Sequence, residues 1–323
     1  MDRPLIVEHD PAAVAPGLNL YLSGHAAEAV LMDRAGKTLH RWRHPLRRLW
    51  PASPKLEYWR RAWLFPNGDL LAIYEGIGIV KLDARSNVLW SRRGGFHHDL
   101  QVMEDGRIWV LDRQGRDGLL EDFVTVLDSR GRIERRISIL KALGRSAPSG
   151  TGDILHTNTL EVLDGRFSGV FRKGNVLLSI LQLDALAVLD PDREEIVWMR
   201  KGSWRKQHQP TLLDDGGILL FDNLGSRVIE IDPAGRVRWQ FGGISSKTLG
   251  SVQRLANGNT LITESENGRA LEVTRDGRVV WEFNNPHRVG RLGAVLFEVI
   301  RLPESFPQRI ELTECGTPSK PRG

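Results

Sequence analysis

The chain has 323 residues, 41% hydrophobic and 26% charged, which excludes a disordered chain and allows a large buried core. Its 45 basic and 40 acidic residues leave a net charge of +5, too small and too dispersed to mark a nucleic-acid or membrane surface. The single cysteine, Cys315, excludes a disulfide framework or a cysteine metal site within one chain, and no window reaches the ~18 apolar residues of a membrane span.

Residues 1–16 carry Pro4, Pro11 and Pro16 and read as an irregular arm. They have no positive-then-apolar leader pattern, so the chain as written is expected to be soluble and not exported. Three strand-like runs follow: Leu18 to Ser23, Glu28 to Asp33 and Lys37 to Trp42. The basic stretch Arg41 to Arg48 reads as a solvated strand and loop, leading into a proline-rich loop with Pro45, Pro51 and Pro54.

A repeat then begins. Its landmark is a glycine in a tight turn after a short apolar run: Gly68, Gly106, Gly165, Gly216 and Gly258. The clearest unit is QHQPTLLDDGGILLFDN (207–223), an apolar run, an Asp-Asp-Gly-Gly turn and a second apolar run. Glycine supplies the positive φ that such hairpins need. The spacing is near the ~40–50 residues of a four-stranded propeller blade, with longer loops at Arg145 to Asp153 and Arg166 to Gly174. A second landmark is a tryptophan closing most units, at Trp42, Trp90, Trp198, Trp239 and Trp281. These rings are expected to dock neighbouring blades.

The C-terminal run Phe297 to Leu302 has an inner-strand pattern, whereas the N-terminus has three strands and no inner strand. Together they make one blade that closes the ring and hides its edges. The expectation is an all-β, six-bladed β-propeller over residues 17–307, with no domain linker and a loose tail at 308–323.

The first strand of each blade lines the central channel. Eight positions before each turn glycine stand Arg60, His98, Thr157 (preceded by His156), His208 and Gly250, and the closing blade offers Phe297. Histidines from three consecutive blades, with an arginine beside them, allow two chemistries. Three imidazoles can hold zinc with an open position; no carboxylate occupies an equivalent inner position to orient them, although Asp99 and Asp153 are close in sequence. Alternatively, imidazolium and guanidinium donors stabilise sulfate or phosphate oxygens, and a neutral histidine can attack such a group. Strand alternation lets only one of His97 and His98 face inward. No phosphate-cradling loop is present, so no cofactor is expected.

HHDLQVMEDGRIWVL (97–111), DILHTNTLEVLDG (153–165), QHQPTLLDDGGILLFDN (207–223) and QRLANGNTLITES (253–265) resemble the bacterial arylsulfotransferase family. So do GLNLYLSGHAAEAVLMD (17–33), YWRRAWLFPNGDLLAIYEG (58–76) and NPHRVG (285–290). The resemblance covers roughly residues 17–307. It implies a six-bladed propeller that moves a sulfuryl group from a phenolic sulfate ester to a phenol without a nucleotide donor. A histidine carries the group between two ping-pong half-reactions.

On that resemblance His208 is the nucleophile, and His156 and His98 are acid and oxyanion partners. His97, Arg60, Arg61, Asn158 and Asn223 are substrate-binding candidates. The implied partners are small aryl sulfates and phenols, with no metal, no nucleic acid and no membrane span. One position departs: relatives show a pattern like SLRNL where this chain has Ser179-Ile180-Leu181-Gln182-Leu183, so Leu181 stands where the resemblance expects a sulfate-binding arginine. Either Arg60 or Arg61 replaces it, or the member is altered in rate or substrate, or it is a non-catalytic binding propeller. Family members are often exported or membrane-anchored, so this chain is either cytoplasmic or begins at a truncated start.

Overall fold

In the computed structural model, which describes residues 4–52 and 57–306, the chain forms six antiparallel sheets arranged as blades. Blade 1 joins an inner strand from the C-terminus, Leu296–Arg301, to Asn19–Ser23, Glu28–Met32 and Thr38–Arg43. The expected closure is therefore present, with Tyr21 opposite Val299. Blades 2 to 6 follow in order, with inner strands Trp59–Leu64, Phe96–Val102, Thr157–Val162, His208–Leu212 and Ser251–Arg254. The tail at 308–323 with Cys315, and Pro54 of the proline-rich loop, lie outside the described residues. Among the described residues no helix is long and apolar enough to cross a membrane.

The blades hold together through the seams between them. The second strand of blade 2, Leu70–Tyr74, is buried along its whole length. Strand alternation sends Leu70, Ala72 and Tyr74 into the seam with blade 1, and Leu71 and Ile73 into the seam with blade 3. A middle strand buried on both faces favours a continuous apolar run, as in Leu70–Tyr74, whereas buried polar residues such as Thr260 and Thr263 interrupt it in blade 6. Outer strands such as Val237–Gly242 alternate between exposed and half-buried instead. The turn glycines adopt the required left-handed φ, 84° at Gly106 and 81° at Gly216.

One expectation is corrected. The arm over residues 1–16 is not wholly irregular: Ile6–Glu8 is a strand that adds to the outer edge of blade 6, with Val7 opposite Glu282. Three residues between prolines are too short to show period-two alternation, but an open sheet edge offers them a hydrogen-bonding template.

Candidate functional site

The inner strands do not run straight into the histidine end of the channel. In blades 1 to 5 the pairing of inner and second strands slips by a bulge near that end, for example between Thr157 and Thr159 and between His208 and Thr211. Bulges break alternation and re-aim side chains. His98, His156 and Gln209 take left-handed φ values of 52°, 48° and 49°, a conformation that costs of order 1–3 kcal/mol in a non-glycine residue. Each has its backbone N–H held by a side-chain oxygen: His98 by Glu75 Oε2 at 3.0 Å, His156 by Asp153 Oδ1 at 2.9 Å and Gln209 by Thr159 Oγ1 at 3.0 Å.

With His98 left-handed, both rings are buried and their Nδ1 atoms meet at 2.9 Å; His97 is fully enclosed beside Asp122 of the third strand of its own blade. His98 also lies edge-on to His156, ring centroids 5.0 Å apart. A carboxylate orients His156, and others lie beside His97 and His98. Asp153 Oδ2 accepts from His156 Nδ1 at 2.5 Å. Glu75 Oε1 is 3.2 Å from His98 Nδ1, and Asp122 Oδ1 is 3.6 Å from His97 Nε2.

His208 is fixed differently. Its Nδ1 lies 2.9 Å from Asn223 Oδ1 and 3.1 Å from Lys206 O. Asn223 Nδ2 donates to the carbonyls of Ser246 and Leu249, so the Asn223 oxygen must face His208 as an acceptor. The proton of a neutral His208 therefore sits on Nδ1, and the lone pair sits on Nε2. Among the described residues Nε2 is buried with no hydrogen-bond partner. Burial, helped by the Arg60 charge, pushes the His208 pKa down to about 4. Burial first, then Arg60, also lowers His98 well below the ordinary range.

Asn158 supports this arrangement from blade 4, donating Nδ2 to the carbonyl of Gln207 at 2.9 Å. It holds the residue before His208, and Asn223 holds His208 itself. The two arginines divide. Arg61 is consumed: its guanidinium lies 2.8 Å from Asp99 and pairs with Glu298 of blade 1, while Gln209 of blade 5 is 3.4 Å away. It forms a crossbar through the channel. Arg60 is 8% exposed and sits over the Phe297 ring, 5.4 Å from its centroid. Among the described residues it makes no hydrogen bond and no ion pair. Leu181 is buried in the short turn after the second strand of blade 4, its N–H on the carbonyl of His156; it brings no charge to the site.

A cavity of about 940 Å³ opens on the other side of the crossbar, lined by Arg61, Gln209, Arg254 and Glu298 and by none of the three histidines. Two groups of donor atoms come within 4.8 Å of one another among the described residues: Glu75, His97 and His98, and His25, Glu28 and His287. The His98, His156 and His208 trio is not one of them. His25 and His287 stack in parallel at 3.6 Å, and two parallel rings cannot both aim an in-plane lone pair at one ion.

Sequence reasoning missed Glu75, Asp122 and the role of Asp153. Glu75 follows the second strand of blade 2 and reaches a histidine of blade 3, a contact that no spacing within one repeat encodes. The signal available was the acidic residue in YEG, one position beyond an apolar strand end.

No curated protein matches the chain. Among solved structures, a protein of unknown function from Bacteroides caccae is 12% identical with a TM-score of 0.64, over 87% of this chain and 99% of that one. The C-terminal WD40 domain of Sif2 is 9% identical with a TM-score of 0.54, over 90% and 88%. At these identities the likeness carries the propeller fold alone. Residues 66–286, which include His98, His156 and His208, match the arylsulfotransferase (ASST) family. The chain thus belongs to the arylsulfotransferase family.

Proposed function

We propose that this protein moves a sulfuryl group from a phenolic sulfate ester to a phenol by way of His208. The observation that carries the reading is the His208 ring: Nδ1 is tied to Asn223 and Lys206, and Nε2 is buried and free. With a pKa of about 4 it stays uncharged at neutral pH and needs no base to become a nucleophile.

In the first half-reaction Nε2 attacks sulfur. The sulfur–aryl oxygen bond breaks, and the departing oxygen takes the bonding pair and a proton. In the second, a phenol oxygen attacks the same sulfur, the nitrogen–sulfur bond breaks, and the phenol proton is taken up. Since each half is the reverse of the other, one acid–base group serves both. Arg60, unpaired among the described residues and felt electrostatically by both His98 and His208, supplies the cation for the sulfuryl oxygens that Leu181 does not.

The test is incubation with 4-nitrophenyl sulfate and phenol, following nitrophenolate release and intact-protein mass together. The expected result is a mass gain of one sulfuryl group that is absent in His208→Ala. Leu181 favours a second reading, a binding propeller of the same family. Absence of both adduct and turnover with several aryl sulfates, from a protein whose His208→Ala variant still binds them, selects it.

A further inference from the structure

Glu75 contacts a site histidine twice. Its Oε2 accepts from the backbone N–H of His98 at 3.0 Å, and its Oε1 lies 3.2 Å from the ring Nδ1. The first contact secures the left-handed His98 backbone. The second faces the ring nitrogen opposite to the one that can meet a substrate. The tautomer follows from the neighbours. A carboxylate can only accept, so the Glu75 oxygen beside His98 Nδ1 places the proton of a neutral His98 on Nδ1, where His97 Nδ1 also lies 2.9 Å away, and His98 Nε2 carries a lone pair. His97 is fully enclosed, whereas the Glu75 side chain is 23% exposed. Of the two neighbours of His98 Nδ1, only Glu75 reaches water.

We infer that Glu75 is the proton port of the site: it positions His98 and exchanges with solvent the proton that His98 gives to, or takes from, the phenolic oxygen. This rests on the transfer reaction proposed above. When a phenol enters, its O–H proton passes to His98 Nε2 as the Nδ1 proton passes to Glu75 Oε1, leaving the imidazole neutral and the carboxyl protonated. When a phenolate leaves, both moves reverse. No charge accumulates on His98, which suits a ring that burial and the Arg60 charge hold well below its ordinary pKa. Burial in turn raises the Glu75 pKa, making the carboxyl a better proton acceptor. The other titratable and charged groups facing the pair are Tyr58 and Arg60 from blade 2, His97 and Arg113 from blade 3, His156 from blade 4 and His208 from blade 5.

The experiment compares Glu75→Gln with the parent protein in separated half-reactions. Adduct formation from 4-nitrophenyl sulfate, whose leaving group needs little protonation, is expected to change little. Transfer from the adduct to phenol is expected to slow ~100-fold, the low end of general acid–base effects, with its pH dependence displaced. Equal loss in both halves, or loss in neither, overturns the inference. Nitrogen-15 NMR of His98 gives an arm independent of turnover. The parent protein should show the proton on Nδ1, and Glu75→Gln should redistribute it. A His98 proton on Nε2 in the parent protein overturns the inference even if the variant does not fold. A parent protein that forms no adduct overturns the transfer reading instead, and the NMR result still decides whether Glu75 governs His98.

Discussion

At the residue scale, the histidine end of the channel concentrates imidazoles that the fold keeps neutral, and this makes stability depend on pH. The His208 pKa falls from an ordinary 6.5 to about 4 because the ring is buried beside Arg60. Between those values the unfolded chain binds a proton that the folded chain refuses, so the contribution is complete above pH 6.5 and is lost as pH falls toward 4. Its full size is roughly 3 kcal/mol at ~1.4 kcal/mol per unit. His287, also near 4, has the same sign. Glu161 opposes them. Burial raises its pKa to about 7, so its contribution is present at low pH and is lost as pH rises through 7. Urea unfolding at pH 7.5 and pH 5 should therefore show His208→Gln stabilising the protein at pH 5 relative to pH 7.5, and Glu161→Gln steepening the fall toward acid. The histidines themselves were legible in the sequence, since turn glycines set a phase that histidine shared in neighbouring repeats. The carboxylates were not, because Glu75 and Asp122 meet their rings across strands or across a blade seam.

At the scale of the element, the closing tryptophan is a blade-to-blade clasp. Trp90 donates its indole N–H to Ser129 O, Trp239 to Arg275 O and Trp281 to Arg34 O, in each case a carbonyl on a turn of the next blade. Register shows where the sequence motif misleads. Trp90 and Trp239 each face the next-to-last residue of the third strand. In blade 1 that position belongs to His40, which donates to Ala84 O at 2.7 Å, while Trp42 lies two residues on and reaches Gly68 O. In blade 3 Arg135 takes the position and bonds to blade 4 at Pro191 and Glu194. The docking role was readable from the spacing of tryptophans; its transfer to histidine and arginine was not, because the shared property is a donor at the right height and not a residue type. Trp281 is fully buried between blades 6 and 1. Trp281→Ala should cost ~3–5 kcal/mol, the range for emptying a large aromatic site, read as a lower urea midpoint with unchanged slope.

For the whole molecule, the blade count followed from the turn glycines and from three orphan strands at one end matched by one at the other. The seam that joins blade 6 to the closing blade carries a buried arginine that the sequence did not single out. Arg301, 3% exposed, lies 3.1 Å from Glu272 of blade 6 and donates to Asn19 of blade 1 and to Ala15 O of the arm. Glu272 Oε1 in turn accepts from the N–H of Ala15. Removing one partner of such a pair leaves the other charge buried alone, so Arg301→Ala should destabilise by ~3–5 kcal/mol. A Glu272→Gln, Arg301→Met double variant should recover part of the loss in a denaturation cycle. The arm itself was legible only as an end, since its order comes from what it touches.

The Arg61 crossbar has a consequence for traffic. By pairing with Asp99 and Glu298 and reaching toward Gln209, it links blades 1, 2, 3 and 5 across the channel, and the cavity of about 940 Å³ that it lines holds none of the three histidines. On the proposed chemistry a phenol arriving from that cavity would have to displace Arg61 from its two carboxylates before it met His208.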